Sequence, residues 1–185
     1  HPPALVSFSI VRQIPNTNII PQAKYICGPI GYAHYELPGS EALGEVIAKE
    51  FVKGFNAVIM ENHGTVVGGT DSSDAFQRFE TLEFCARTII YGSTIGKPNY
   101  LTDQQIEEFE AQIPHLLPEM DSVDYPSDER AIREDIKKIV HRACAQGLMI
   151  SSYGTVSVRW RNNDFLITPP YVARWDIQNE DIVQV

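Results

Sequence analysis

The sequence predicts an α/β fold, and three observations carry that expectation. Asn56-Ala57-Val58-Ile59-Met60 is a short apolar run bounded by turn residues, the pattern of a buried strand. A helical pattern precedes it, with Leu43, Val46, Ile47 and Phe51 recurring at helical spacing. A second helical pattern follows it over 71–91, where Phe76, Phe79, Leu82, Ala86 and Ile89 form an apolar stripe. Helix, strand and helix in that order read as a layered α/β/α arrangement.

The elements follow in chain order. Residues 4–12 are apolar enough for a buried helix or a buried strand, and Pro15 stops them. Lys24 to Ile30 reads as a short strand or extended segment ending at Gly28-Pro29. Ser40 is the N-cap of the next helix, with Glu41 just inside it, and Gly54 ends it. After the run to Met60, Thr65-Val66-Val67 forms another strand-like stretch, so His63-Gly64 sits between two strands. From Gly96 to about Glu129 the chain turns polar and acidic. It holds a helix over 101–112, capped by Thr102 or Asp103, and then a proline-bearing linker over 114–128. An amphipathic helix starts near Asp128, with Ile132, Ile136, Ile139, Val140, Ala143 and Cys144 on its inner face, and stops at Gly147. Three strands follow, at 154–160, 165–168 and 182–185. Arg161 to Asp164 turns the first hairpin, and Pro169-Pro170 breaks the second strand.

Composition excludes several classes. With 43% hydrophobic and 21% charged residues the chain is globular rather than disordered. A net charge of -9 argues against a general nucleic-acid or anionic-membrane surface, which would need clustered Lys and Arg. No apolar run reaches the roughly 18 residues that cross a bilayer, and no signal-peptide pattern opens the chain. Cys27, Cys85 and Cys144 are far apart, which predicts reduced, mostly buried thiols and a cytoplasmic protein. No P-loop, GxGxxG, GxSxG or zinc-finger spacing occurs.

Two imidazoles remain as candidate ligands of a divalent metal: His1, opening the chain as His1-Pro2-Pro3, and His63, within Glu61-Asn62-His63-Gly64. Gly64 lets the backbone pass close to such a site. His34, His115 and His141 read as surface or partly buried residues without chemistry. Glu61 is not assigned as a base, because strand alternation directs it to the face opposite His63.

These residues resemble the class II aldolase/adducin family, which includes L-fuculose-phosphate and L-ribulose-phosphate aldolases. His1-Pro2-Pro3, Tyr35-Glu36-Leu37-Pro38-Gly39, Asn62-His63-Gly64, Val66-Val67-Gly68, and the helix with Leu82-Glu83 and Ala86-Arg87 make residues 1–113 resemble the second half of such a domain. Residues 129–185 resemble the first half of a second copy. There the helix Arg130 to Ala145 is followed by Gly147-Leu148, Gly154, Val156-Ser157-Val158-Arg159, Ile167-Thr168-Pro169 and Glu180-Asp181-Ile182-Val183. The expected organisation is therefore two half-domains joined by a linker, a piece of a tandem protein.

The resemblance implies a zinc-dependent lyase (or one using another divalent metal), with His1 and His63 as two of three histidine ligands. It would cleave a sugar or sugar phosphate by retro-aldol chemistry through an enediolate. It also implies that a third histidine, two residues before the one matching His1, and the acid/base glutamate belong to a segment outside this sequence. The chain alone is then expected to be inactive. The parent is expected to be a homo-oligomer, with neither nucleic acid nor membrane as partner. Thr155, and Pro170-Tyr171 after the matching Thr168-Pro169, depart from the family's pattern, so the second copy is expected to be degenerate as a phosphate site. Two alternatives share the scaffold: a non-catalytic, adducin-like assembly module, and a dehydratase or decarboxylase.

Overall fold

Strand β2 (Ala57–Met60) lies at the centre of the first unit and is buried on both faces. It pairs in parallel with β1 (Ile30–Ala33), in register Ile30 to Ala57, and antiparallel with β3 (Gly64–Val67), in register Met60 to Gly64. The computed structural model describes residues 1–112 and 125–185, and the chain divides into two units, His1–Ile113 and Pro114–Val185. The linker expected at 114–128 lies outside the described residues up to 124, and at its far end Ser127 and Asp128 are already helical.

Side chains alternate across β2, and this builds two core layers. Ala57 and Ile59 face Ala4, Leu5 and Phe8 of α1 (Pro3–Ile10), Cys27 of α2 (Pro21–Cys27), and Leu82 and Ala86 of α4 (Ser72–Ile95). Val58 and Met60 face the other way with Ala33, against Leu43, Val46, Ile47 and Phe51 of α3 (Glu41–Val52). The expected α/β/α layering is thus formed around one strand, whose fully apolar run is what burial on both faces demands. Ser40 caps α3 by accepting from the Leu43 N–H at 3.1 Å. Thr102 and Gln105 form a reciprocal capping box on α5 (Asp103–Glu110).

Two expectations need correction in this unit. The 24–30 segment is not a strand: residues 21–27 form α2, with Pro21 in the first turn and Ala23 and Cys27, four apart, both fully buried. The stripe on α4 is also shifted. Phe76 is 48% exposed, and the buried face runs through Thr81, Leu82, Cys85 and Ala86.

The second unit is built from α6 (Ser127–Ala145) and a three-stranded antiparallel sheet, β4 (Ser157–Arg159), β5 (Phe165–Ile167) and β6 (Val183–Gln184), in that order. The hairpin turn expected at 161–164 is present, with Asn162 and Asn163 in the left-handed region. Its core comprises Ile136, Val140, Leu166, Ile177 and Ile182. Ile139, expected on the inner face of α6, is 53% exposed instead. Buried Arg133 ties this unit together, pairing with Glu129 at 2.7 Å and donating to the carbonyls of Asn179 and Ile182.

Candidate functional site

The turn between β2 and β3 carries one candidate ligand. After Met60 the chain leaves the sheet for three residues, and the His63 N–H closes the turn by donating to the Met60 carbonyl at 3.1 Å. Asn62 takes φ of +53°, a conformation its short polar side chain tolerates. Gly64 then resumes β3 at φ of +156°, which side-chain-bearing residues rarely adopt. Its open face rests on His1: a Cβ at Gly64 would lie 3.5 Å from His1 Cα and 3.8 Å from the ring carbon Cδ2.

The other candidate precedes α1. The His1 and His63 rings lie 5.0 Å apart between centroids, tilted by 33°. His63 Nδ1 is buried with no hydrogen-bond partner. Such a nitrogen is costly unless something bonds it, so the pair suits a cation that takes imidazole donors. Among the described residues, no group of three or more His, Cys, Asp or Glu side chains gathers as a metal cage. A catalytic zinc takes three protein ligands and an open position, so these two imidazoles would supply part of such a ligand set.

Helix α1 is held at both ends. Pro2 is its N-cap and offers no side-chain acceptor. The free N–H groups of Ala4 and Leu5 donate instead to Glu83 of α4, at 3.3 and 3.0 Å. Glu83 is buried and pairs with Arg87 at 3.2 Å. At the other end, Arg12 N–H donates to Ser9 O and Gln13 N–H to Phe8 O, a Schellman closure with Arg12 at φ of +57° where glycine is usual. The Arg12 side chain then donates to Glu61 Oε1 at 2.6 Å. Glu61 also accepts from the Tyr35 N–H at 3.2 Å and meets His34 Nδ1 at 3.4 Å.

Glu61 is thus engaged with Arg12, Tyr35 and His34, and the strand geometry expected for it is not found. Residues 61–63 form a turn, so strand alternation does not apply; Glu61 is turned towards Arg12 because α1 ends beside it. The Arg12 hydrogen bond holds its carboxyl below the usual glutamate range against the opposing effect of burial. Beside it Tyr32 OH is buried and unpartnered, and its pKa is raised, first by burial and then by the Glu61 charge.

The other titratable residues stand apart. The His34 side chain is exposed, His141 Nε2 lies 3.1 Å from the Ile177 carbonyl, and His115 is outside the described residues. Cys27, Cys85 and Cys144 form no disulfide with one another, and burial pushes the Cys85 pKa up to about 12. No helix among the described residues is long and apolar enough to cross a membrane.

Sequence reasoning missed the part played by Glu83 and Arg12. Two signals were there to find: an acid set beside the apolar face of α4, and a helix start at Pro3 with no capping side chain before it.

Parts of the chain are similar to known proteins. Residues 1–90 match the model of the Class II Aldolase and Adducin N-terminal domain. The chain is 32% identical over 92 residues to 5-deoxy-D-ribulose 1-phosphate aldolase of Bacillus thuringiensis serovar kurstaki, covering 48% of this chain and 43% of that protein. It is 32% identical over 99 residues to 3-oxo-tetronate 4-phosphate decarboxylase of Haemophilus influenzae, covering 52% and 46%. The chain thus spans about half the length of the curated relatives it matches. A solved L-fuculose 1-phosphate aldolase shares the fold, with a TM-score of 0.52 at 24% identity over 59% of this chain and 50% of that one. On residues 1–90 the chain is thus similar to the class II aldolase and adducin family, and its first unit has the fold of a solved aldolase.

Proposed function

We propose that the first unit is the metal-holding half of a class II aldolase-type lyase, with His1 and His63 as ligands of a divalent cation. The observation that carries this reading is the 5.0 Å approach of the two rings, together with the buried, unpartnered Nδ1 of His63. Zinc suits imidazole donors and, when bound, would polarise the carbonyl and hydroxyl oxygens of a sugar or sugar phosphate. His1 and His63 must be neutral to act as ligands, so metal affinity falls as pH drops. Gly64 keeps the backbone beside His1 clear, and Glu61 is committed to Arg12, His34 and Tyr35 rather than to proton transfer. No acid/base group and no third ligand is assigned among the described residues.

Similarity to an aldolase and to a decarboxylase supports two reactions on one scaffold, retro-aldol cleavage first and loss of carbon dioxide second. The whole protein is read as a cytoplasmic homo-oligomer. Residues 1–113 are read as the second half of one domain and 129–185 as the first half of a degenerate second copy. Tyr171, where the resemblance implies glycine, has φ of +64°, which fits a position that once held one.

Zinc analysis of the full chain, with and without His63→Ala, tests the site. Stoichiometry should fall in the variant, and unchanged zinc content removes the ligand assignment. Assays of phosphorylated and free ketoses against 3-oxo acids separate the two reactions.

A further inference from the structure

We infer that Glu83 is a positioning residue for the candidate metal ligand His1, acting through the backbone of α1 rather than by touching the metal. The inference rests on the proposed role of His1 and His63. His1 has no anchoring hydrogen bond of its own among the described contacts; it is attached through Pro2 to the first turn of α1. That turn has no capping side chain, and its Ala4 and Leu5 N–H groups donate to the two oxygens of Glu83, a residue far along the chain on α4. The carboxylate is buried, so those N–H groups have no easy substitute in water. A carboxylate at a helix N-terminus also meets the positive end of the helix dipole. Two parallel acceptors fix the direction of the turn as well as its place, and the opening imidazole is carried with it.

At the far end Arg12 ties α1 to Glu61, two residues before His63. The helix is therefore pinned to α4 at its first turn, beside His1, and through Arg12 to Glu61 in the turn that carries His63. Loosening the first pin frees His1 while leaving His63 in place. Arg87, about half exposed, pairs with Glu83, so its removal tests charge pairing apart from positioning.

The experiment is a zinc-affinity titration of the full chain with its terminal amine blocked, by competition with a chromophoric chelator. It is run at a temperature where circular dichroism shows every variant folded. Glu83→Ala should weaken zinc about 10–100-fold, the usual effect of losing a group that orients a ligand. Glu83→Gln keeps one acceptor oxygen and should recover part of that loss, and it carries the test if the alanine variant fails to fold. Arg87→Ala should stay near wild type. Leu43→Ala lowers stability from the opposite face of the sheet, so equal zinc loss there would mean that stability alone is being read and would overturn the inference. Wild-type affinity in Glu83→Gln and Glu83→Ala, with zinc lost in His63→Ala, would overturn it while leaving the metal site standing. Unchanged affinity in His63→Ala would instead remove the site itself.

Discussion

In the first unit the buried charges that reach the backbone are carboxylates, whereas in the second they are guanidinium groups. Glu83 and Glu61 accept from the N–H groups of Ala4, Leu5 and Tyr35. Arg133 and Arg174 donate to the carbonyls of Asn179, Ile182, Gly154 and Val172. Both arrangements satisfy backbone groups that packing has cut off from water. What they fasten differs. The carboxylates hold a helix start and a turn, each next to a candidate imidazole ligand. Arg133 ties α6 to the carbonyls of Asn179 and Ile182, and Arg174 ties its own segment to those of Gly154 and Val172. A buried charge therefore marks a place that must not move, and only its neighbours say whether chemistry depends on that.

The largest effect should come from the second unit. Arg133→Ala strands the buried Glu129 carboxylate, which typically costs about 3–5 kcal/mol. Hydrogen exchange should show β4, β5 and β6 losing protection. The double variant Arg133→Met with Glu129→Leu should recover much of that stability, because it removes both charges together. Failure to recover would mean that the carbonyl contacts of Arg133 matter more than its ion pair.

In the first unit, Gly64→Ala forces a side chain into a backbone conformation worth about 1–3 kcal/mol of strain. The new methyl would also come into van der Waals contact with His1. Chemical denaturation should show the cost, and NMR should show the His1 ring signals moving while those of the second unit stay fixed.

Glu61 predicts a pH dependence. Its carboxyl is held below the ordinary value, first by Arg12, so it adds stability at neutral pH that is lost as pH falls through the folded-state value. Glu61→Gln should make unfolding less sensitive to acid below pH about 4.3. An unchanged acid profile would show that the Arg12 contact contributes nothing. The smallest effect is Thr102→Ala, which removes one half of the capping box on α5 and should cost about 1 kcal/mol in a thermal melt.

Much of this was readable from local pattern. The Ser40 cap, the β2 run, the 161–164 hairpin and the α5 cap follow from side chains acting on backbone within a few residues. The misreadings occurred where burial overrode such patterns. Tyr25, Ile26 and Cys27 favour a strand by type, but packing against α4 and a proline start made them helical. Phe76 and Ile139 fit helical stripes yet lie outside the area that a neighbouring element covers.

Local residue order therefore determined the alternation of helices and strands, the strand buried on both faces, and the two histidines worth watching, because each depends on spacing along the chain. It could not determine that those histidines meet. Their approach depends on where α1 crosses the sheet, and that depends on a carboxylate 79 residues from Ala4 and a guanidinium 49 residues from Glu61. Contacts between residues so far apart in sequence exist only once the layers have packed, so the tertiary structure alone decided them.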